Sequence, residues 1–442
     1  MSRKKRLLIN TGLLTLSALA MRVVGMLFQA WLASCIGAEG IGLYQLTGSV
    51  TVLFSVFAVS GVRFAATRLV SEEAALGRGN GVLGAVRRCI NYALLFSLLS
   101  AGILWRVAEP LGFLWVGDAR TVLSLRLAAV ALPCIAISSV FGGYFTASGR
   151  VWKAVLVQLL ALVLSVVITV SFLQRCDLHD LEQTCAAITA GSAISELIGT
   201  ALLLLLYLGE RRRWRTQAQQ TPHLTRRMLS AALPLALSAY TRTSLNTLEH
   251  MLIPKGLRLA GLTAEAALSG YGVVHGMALP AVLFPACLLF SLAELIVPEL
   301  TQAQTQGRTN AIRRIVRLVR GATAIYALVT AAALYVLAEP IANRFFHTPE
   351  CAAYIRQLAP LAPIMNLDTV TDGCLRGLGQ QGRVMAINIL DAALGVVLVL
   401  VLLPRFGLAG YVWMIWSTET INCLLSSLAL RQTLRHSKAS GS

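Results

Sequence analysis

Long apolar stretches recur along the whole chain, with only short polar segments between them. A helix needs about 20 apolar residues to cross about 30 Å of hydrocarbon. About twelve stretches approach or exceed that length, at approximately 7–35, 44–70, 86–106, 121–146, 152–173, 186–208, 228–253, 269–298, 315–337, 352–376, 384–403 and 407–430. The mean hydropathy of +0.71 and the charged fraction of 13% agree with this pattern. We therefore predict an all-α polytopic membrane protein with about twelve transmembrane helices.

The distribution of basic residues predicts the topology. The formal net charge is +18, and most of the 38 Lys and Arg residues fall at the two termini and in the segments after even-numbered spans. An excess of basic residues marks the cytoplasmic side of a membrane protein. Both termini are therefore expected in the cytoplasm. We interpret the Arg211–Arg213 cluster as an anchor beside anionic membrane lipids, and not as a nucleic-acid site.

The second half of the chain repeats positions of the first half. Tyr44 and Glu72 are matched by Tyr271 and Glu299 at an offset of 227 residues, and Pro133, Gly143 and Gly149 by Pro363, Gly373 and Gly379 at an offset of 230. Because six helices separate the copies, corresponding helices run in the same direction, as in transporters built from parallel repeats. We expect two six-helix bundles: an N-terminal lobe at 1–208, a basic cytoplasmic linker at 209–227 and a C-terminal lobe at 228–442.

An arginine lies near the middle of the first predicted span. Arg22, Gly25 and Gln29 follow one another at i, i+3 and i+7, so they share one face of a helix. An arginine at the centre of a span costs about 2.5–3.5 kcal/mol on insertion scales and persists mainly beside a watery cavity or a partner charge. We expect this face to line a substrate path. The alternative is an arginine that only pairs with a structural carboxylate.

Three longer segments resemble a known superfamily. They are RVVGMLFQAWLASCIGAEGIGLYQL in the first span, SGVRFAATRLVSE at the end of the second and LPAVLFPACLLFSLAELIVPELTQA in the eighth. The chain resembles the polysaccharide-exporter branch of the multidrug/oligosaccharidyl-lipid/polysaccharide (MATE-like) superfamily, near the stage V sporulation protein B group and the MurJ-type lipid II flippases. The resemblance implies two six-helix bundles around a V-shaped cavity, in the bacterial cytoplasmic membrane. Many of these relatives carry two further helices that line a lipid groove, and this sequence shows twelve, so how it would hold a long lipid tail stays open.

The resemblance also implies a substrate and the residues that bind it. Its cargo would be a polyprenyl-diphosphate-linked saccharide, and arginines of the first helices and the seventh would bind the diphosphate. Arg22, Arg63 and Arg242 stand at such positions, with Gln29 beside Arg22. Guanidinium groups suit phosphate because they donate two parallel hydrogen bonds to its oxygens. Arg63 could instead simply mark the cytoplasmic end of the second span.

The second half carries the acidic residues. Arg242, Asn246 and Glu249 share one face of the seventh span, Asp368 and Asp372 share a face of the tenth, and Asn388 and Asp391 lie at i, i+3 on the eleventh. Buried carboxylates must be protonated, paired or bound to a cation. We expect Glu249, Asp368, Asp372, Asp391 and Asn388 to form a site that couples Na⁺ or H⁺ to transport, as the resemblance to flippases with a sodium site implies. The alternative is that Arg242 neutralises Glu249 and that Arg376 pairs with the aspartates.

Other polar residues in the spans carry simpler interpretations. The lone acids Glu196, Glu294 and Glu419 and the histidines His250 and His275 are expected to be structural hydrogen-bonding groups. Cys176 and Cys185 share one predicted outer loop, where a disulfide is chemically possible. The other cysteines show no metal or redox spacing.

The sequence therefore favours transport over catalysis. It holds no phosphate-binding loop, nucleophile elbow or zinc-protease signature, so we expect no enzyme and no cofactor besides a coupling ion. The preferred function is a flippase for a polyprenyl-diphosphate-linked saccharide used in peptidoglycan, spore-cortex or surface-polysaccharide assembly. Two alternatives stay open: a cation-coupled multidrug exporter of the same superfamily, and a non-transporting membrane scaffold that recruits cell-wall synthesis enzymes. The sugar, the direction of flux and the oligomeric state are left open.

Overall fold

A computed structural model describes residues 3–176, 180–214 and 223–439 of the 442-residue chain. Every regular element within those ranges is helical. The prediction of an all-α polytopic membrane protein is therefore confirmed. The middle of the predicted linker, including Arg215, and part of the predicted outer loop after Cys176 lie outside the described residues.

Fifteen α-helices follow one another in those ranges. The first half contains α1 (Arg3–Val59), α2 (Val62–Ala75), α3 (Gly79–Pro110), α4 (Val122–Ala147), α5 (Val151–Leu173) and α6 (Leu181–Glu210). The second contains α7 (Leu224–Leu259), α8 (Ala264–Tyr271), α9 (Leu279–Leu283), α10 (Ala286–Thr305), α11 (Thr309–Val336), α12 (Ala338–Ile341), α13 (Glu350–Leu358), α14 (Ala362–Gly377) and α15 (Gln381–Ala439). Single π-helical turns lie at Leu111–Val116, Gly272–Ala278 and Ala342–Phe346, and short 3₁₀ segments at Ala119–Thr121, Arg211–Trp214 and Ala359–Leu361.

Nine helices of the described ranges are long and apolar enough to cross a membrane. Two of these apolar stretches are much longer than one span: Leu19–Ala75, which comprises most of α1 together with α2, and Gln381–Arg435, which lies within α15. They are 57 and 55 residues long, and at 1.5 Å per residue each is long enough to cross about 30 Å of hydrocarbon twice. These two therefore hold four of the predicted spans. The predicted spans 228–253 and 352–376 coincide with α7 and with the α13–α14 pair.

Glycines divide the two longest helices at the predicted boundaries. Gly37 has φ 69° and ψ −176° inside α1, and Gly407 has φ 57° and ψ −133° inside α15. Glycine adopts a positive φ without the steric penalty that a Cβ brings. Each of these two glycines therefore marks the kink between two successive predicted spans.

The internal repeat is visible in matching interactions. Arg126 pairs with Glu109, and 230 positions later Arg356 pairs with Glu339. The turn before α3 and the turn before α11 also match, because Gly77 and Gly307 both have a positive φ of about 70° and donate to the carbonyls of Ala74 and Gln304. Positions that lie 230 residues apart in the sequence therefore make the same interactions in the two halves of the chain.

The chain forms two compact units that differ from the predicted lobes in two places. The first unit is Met1–Met21 with Leu46–Thr247, and the second is Arg22–Gln45 with Leu248–Ser442. The second unit thus includes part of α1, where a Cβ on Gly42 would lie 2.3 Å from the Leu268 carbonyl oxygen and one on Gly272 would lie 2.0 Å from that of Ala38. Backbones approach this closely only because the side chains are absent.

The first unit includes both described ends of the predicted linker. At its start, Glu210 pairs with Arg150 and Lys153, and the Trp214 Nε1–H donates to the Tyr144 hydroxyl at 2.8 Å. At its end, Arg227 binds α2. The described ends of the linker and most of α7 consequently belong to the first unit by packing, although the sequence repeat assigns α7 to the second half.

Candidate substrate and cation sites

Arg22 lies exposed on α1, in the second unit. Its guanidinium carbon is 4.1 Å from the centroid of the Phe290 ring in α10. A guanidinium over an aromatic face is attracted by the ring quadrupole. Among the described residues no carboxylate forms an ion pair with Arg22, so the alternative of a structural carboxylate partner does not hold there.

Gln29 lies two turns further along the same face of α1. Its Nε2–H donates to the Gly276 carbonyl oxygen at 2.9 Å. Gly276 is part of the π-helical turn Gly272–Ala278, where the regular i to i−4 bonding is interrupted and carbonyls are left for other donors. Gln29 thus ties α1 to the second unit, and its role as a substrate ligand stays a prediction.

Arg63 lies in the first unit and lines a cavity of about 90 Å³. The cavity is bounded by polar groups of α4, α5 and α6, among them Ser138, Gln158 and Glu196. The Ser138 hydroxyl donates to Glu196 at 2.6 Å, which agrees with the structural role expected for Glu196. The volume corresponds to about three water molecules. Arg63 therefore lines a small polar cavity inside the bundle that is large enough to hold water.

Arg242 lies on α7 in the first unit and is exposed. Within the described ranges it has no carboxylate partner in the same unit. The four predicted substrate ligands are thus divided, with Arg22 and Gln29 in the second unit and Arg63 and Arg242 in the first. None of the three arginines is neutralised within its own unit by a described acid.

The predicted acidic residues of the tenth span are held by α15. The Asn422 Nδ2–H donates to Asp368 Oδ2 at 3.0 Å, and the Ser426 hydroxyl donates to Asp372 Oδ1 at 3.3 Å. Asp372 Oδ2 also lies 3.6 Å from the Arg376 guanidinium. Pairing of the aspartates with Arg376 was the alternative to a coupling site. Among the described residues Arg376 pairs with Asp372 and not with Asp368.

The remaining acids complete a cluster in the second unit. Asp391 lies within electrostatic reach of Glu249 and Asp368, and Glu419 within reach of all three. A Cβ on Gly395 would lie 2.4 Å from Glu249 Oε2, so glycine leaves the space that this carboxylate occupies. The structure therefore places Glu249, Asp368, Asp372 and Asp391 near one another, with Glu419 beside them, and their role as a coupling site stays a prediction.

Glu419 is the residue that sequence reasoning assigned differently. It was expected to be an isolated structural acid. Glu419, Asn422 and Ser426 lie at i, i+3 and i+7 in a largely apolar part of α15, which is a polar stripe like the one around Arg22. This stripe could have indicated from the sequence that Glu419 belongs to a polar cluster. Asn388 is half-buried on α15 and makes no side-chain hydrogen bond in the described ranges, so its part in the site stays a prediction.

Several acceptor atoms of the cluster have no donor. In the described ranges Asp368 Oδ1, Asp391 Oδ1 and Asn422 Oδ1 are buried without a hydrogen-bond partner. Ionised carboxylates in such a setting carry a large desolvation cost unless protons or a cation compensate it. No three His, Cys, Asp or Glu side chains of those ranges converge as ligands of one metal ion. The cluster is thus suited to protons, or to a weakly bound cation that also uses amide and hydroxyl oxygens.

A second polar cluster of the second unit surrounds two histidines. His250 Nδ1 and the Tyr271 hydroxyl are 3.2 Å apart, and His275 Nδ1 and the Tyr411 hydroxyl 3.4 Å apart. The two imidazole ring centres are separated by 4.4 Å. Each histidine thus has a tyrosine partner, in agreement with the interpretation as hydrogen-bonded core groups.

Comparisons with known proteins agree with this architecture. A family model described as polysaccharide biosynthesis protein matches residues 7–304, and the MatE model matches residues 257–401. Stage V sporulation protein B of Bacillus subtilis (strain 168) is 22% identical over 443 residues, covering 98% of this chain and 85% of its own length. Sporulation protein YkvU of the same organism is 22% identical over 374 residues, covering 83% of this chain and 81% of its own length.

The fold is also found among solved structures. The inward-facing structure of a multidrug resistance MATE family transporter superposes with a TM-score of 0.76 at 12% sequence identity, covering 97% of this chain and all of that one. At this identity the likeness concerns the fold. The family model, in contrast, covers well over half of the sequence. The chain therefore belongs to the polysaccharide biosynthesis protein family and is a multi-pass membrane protein with the fold of a MATE family transporter.

Proposed function

We propose that the protein is a flippase that moves a polyprenyl-diphosphate-linked saccharide across the bacterial cytoplasmic membrane by alternating access, with both termini in the cytoplasm. The two sequence repeats would act as the lobes. The observation that carries this proposal is the set of three arginines in the spans, Arg22, Arg63 and Arg242, none of which is neutralised by a described acid of its own unit. Such arginines call for an anionic ligand. In a polysaccharide biosynthesis family, a diphosphate-linked sugar is the ligand that fits.

Arg22 is the arginine whose geometry best suits phosphate. Its guanidinium carbon lies over the face of the Phe290 ring, and a guanidinium group carries five N–H donors. Two of them can donate in parallel to phosphate oxygens. We propose that Arg22 and Arg242 bind the diphosphate, with Arg63 and Gln29 in supporting positions.

The acidic cluster is proposed as the coupling site. Glu249, Asp368, Asp372, Asp391 and Asn388, now with Glu419, would take up Na⁺ or H⁺. Support comes from the buried acceptor atoms of Asp368, Asp391 and Asn422 that lack a donor. Carboxylate, amide and hydroxyl oxygens are the ligands that hard cations prefer. The energy for transport would then come from an ion gradient.

The biological setting follows from the relatives. Two of them are named as sporulation proteins, which supports a role in spore-cortex or other peptidoglycan assembly. Cell-wall synthesis enzymes are proposed as partners that supply or consume the lipid-linked precursor.

The deciding experiment is transport of a fluorescent lipid-linked precursor in liposomes. Arg22→Ala is expected to lower the rate at least about 10-fold, because hydrogen bonds to a charged group contribute about 1.5–3 kcal/mol. Arg22→Lys keeps the positive charge but lacks the two parallel donors of a guanidinium. Its transport rate should therefore lie between those of the wild-type and the Arg22→Ala proteins. Arg106→Ala, an exposed arginine of α3, is the control. A folded Arg22→Ala protein with wild-type flux would overturn the proposal.

One observation favours a second candidate, a cation-coupled multidrug exporter. The MatE family model covers 257–401, which includes most of the acidic cluster. That function predicts export of cationic dyes that depends on Asp368 and is indifferent to Arg22. The scaffold alternative predicts no flux of either substrate, and unchanged cell-wall synthesis with Arg22→Ala.

A further inference from the structure

A groove runs between α3 and α7 at the basic end of the first unit. We call it the α3–α7 groove. It has a volume of about 770 Å³ and is lined by Arg88, His223 and Arg226 at one end and by Leu229, Leu233 and Pro234 at the other. This volume lies within the range of about 300–1,000 Å³ typical of ligand pockets. The groove is polar at one end and apolar at the other, as the binding site of an amphiphile would be.

Two consecutive arginines at the start of α7 have different roles. Arg227 is bound by Glu72 and Glu73 at 2.6 Å each. Arg226 is exposed and forms no ion pair with any described acid, and the same holds for Arg88, whose guanidinium reaches only the Gly84 carbonyl at 3.3 Å. The groove therefore presents two guanidinium groups, from different helices, that are free to bind an anion.

The apolar end of the groove continues along α7. Leu233 is 47% exposed and Leu237, one turn further, is 68% exposed. Arg226, Ser230, Leu233 and Leu237 follow one another on one face of the helix. The surface thus passes from cationic to hydroxyl to purely apolar within three turns. An anionic headgroup attached to acyl chains matches this order.

The groove lies on a different face of α7 from Arg242. Sixteen residues separate Arg226 from Arg242, which at 3.6 residues per turn places them about 160° apart around the helix. The occupant is therefore not expected to be cargo on its way to Arg242. A phospholipid that resides in the cytoplasmic leaflet fits better, since basic pockets between helices on that side bind anionic headgroups.

We propose that the α3–α7 groove binds one anionic phospholipid, with its phosphate between Arg88 and Arg226 and its acyl chain along Leu229, Leu233 and Leu237. The site is independent of the substrate site proposed above. A bound lipid would hold the beginning of α7 at the membrane surface.

The test uses the full chain in detergent with phosphatidylglycerol that carries a photoreactive group in its acyl chain. Cross-linked peptides are mapped by mass spectrometry. In the wild-type protein we expect adducts on α7 between Leu229 and Leu237, removed by excess phosphatidylglycerol but not by phosphatidylcholine with the same chains. Equal competition by phosphatidylcholine would show that the arginines do not select the headgroup and would overturn the proposal.

Variants locate the contribution of the arginines. The Arg88→Ala/Arg226→Ala protein should lose the α7 adduct on the order of 30-fold, since each arginine near anionic lipid contributes about 1 kcal/mol. Arg87→Ala/Arg106→Ala removes the same charge from α3 outside the groove and should leave the adduct unchanged. Ser230→Glu keeps both arginines but adds a competing carboxylate, so it should also lose the adduct and serves if the double variant unfolds.

A last arm separates a lipid site from a phosphate site. Glycerol phosphate, which carries the charge without the chains, should not compete at concentrations where phosphatidylglycerol does. If it competes equally well, or if the Arg88→Ala/Arg226→Ala protein keeps the adduct, the groove is not a phospholipid site.

Discussion

Arg227 at the start of α7 binds Glu73 at the end of α2 at 2.6 Å, and Glu73 is completely buried. The same guanidinium reaches Glu72 at 2.6 Å, and Arg68 pairs with Glu72 from the preceding turn. One arginine thus joins two acids that lie 154 and 155 residues away in sequence. The pair fixes the end of the linker to the first unit.

Removing Arg227 should destabilise the protein. Arg227→Ala leaves the buried Glu73 carboxylate without its counter-ion, and breaking a buried pair in this way costs about 3–5 kcal/mol. Because Arg227 is itself one-third exposed, we expect the lower end of that range. Thermal unfolding in detergent should show a lower Tm than for Arg106→Ala. Glu73→Gln combined with Arg227→Ala should recover part of the loss, and no recovery would contradict the ion-pair account.

The packing of α1 on α8 gives a prediction about glycine. Gly42→Ala places a Cβ 2.3 Å from the Leu268 carbonyl oxygen, so the helices must separate, at a cost of about 1–3 kcal/mol. Gly25→Ala lies in the same helix with nothing within 4 Å of its Cβ and should be neutral or slightly stabilising. Both are measured by thermal unfolding. Equal Tm values for the two variants would show that α1 does not pack as described.

Two intramembrane acids with similar sequence surroundings should behave differently. Glu419→Gln alters the acidic cluster and should abolish the dependence of liposome transport on the ion gradient, with at least a 10-fold lower rate. Glu196→Gln changes the partner of Ser138 in the Arg63 cavity of the first unit, outside the acidic cluster, and should keep the gradient dependence. Transport by Glu419→Gln that responds to the gradient as the wild-type protein does would remove Glu419 from the site.

The two cysteines near the predicted outer loop should react differently. Both thiols are free, Cys176 is half-buried and Cys185 is 1% exposed. A membrane-impermeant maleimide added to intact cells should label Cys176 and not Cys185, as seen by peptide mass spectrometry, and Cys176→Ser should remove that label. Labelling of Cys176 only after the cells are made permeable would reverse the proposed orientation.

Hydropathy predicted the spans well because the cost of exposing polar groups to lipid depends on local sequence. It could not predict which unit each span would join. Residues 22–45 join the second unit through the close approach at Gly42 and Gly272, and α7 stays with the first through Arg227. Both depend on contacts between residues more than 150 positions apart, which periodicity does not report.

Only part of the candidate sites could be predicted from the sequence, because periodicity on one helix does not report contacts with other helices. Spacing on one helix singled out Arg22, Asp368 and Asp372 as candidates, and the resemblance added Arg242. Spacing could not show that Gln29 donates to a carbonyl of a π-helical turn in another helix. Nor could it show that Glu419 faces Asp368 and Asp391 from α15, although its polar stripe was present in the sequence.

The attachment of α7 to the first unit determines how this chain could be divided. A fragment ending at residue 208 would contain one complete sequence repeat, yet Glu73 would be enclosed with no cation to neutralise it. A fragment extended to residue 259 would keep that cation and the hydrogen bond from Thr247 to Ser49. Neither sequence repeat is therefore self-sufficient, since each compact unit takes a helical segment from the other half of the sequence.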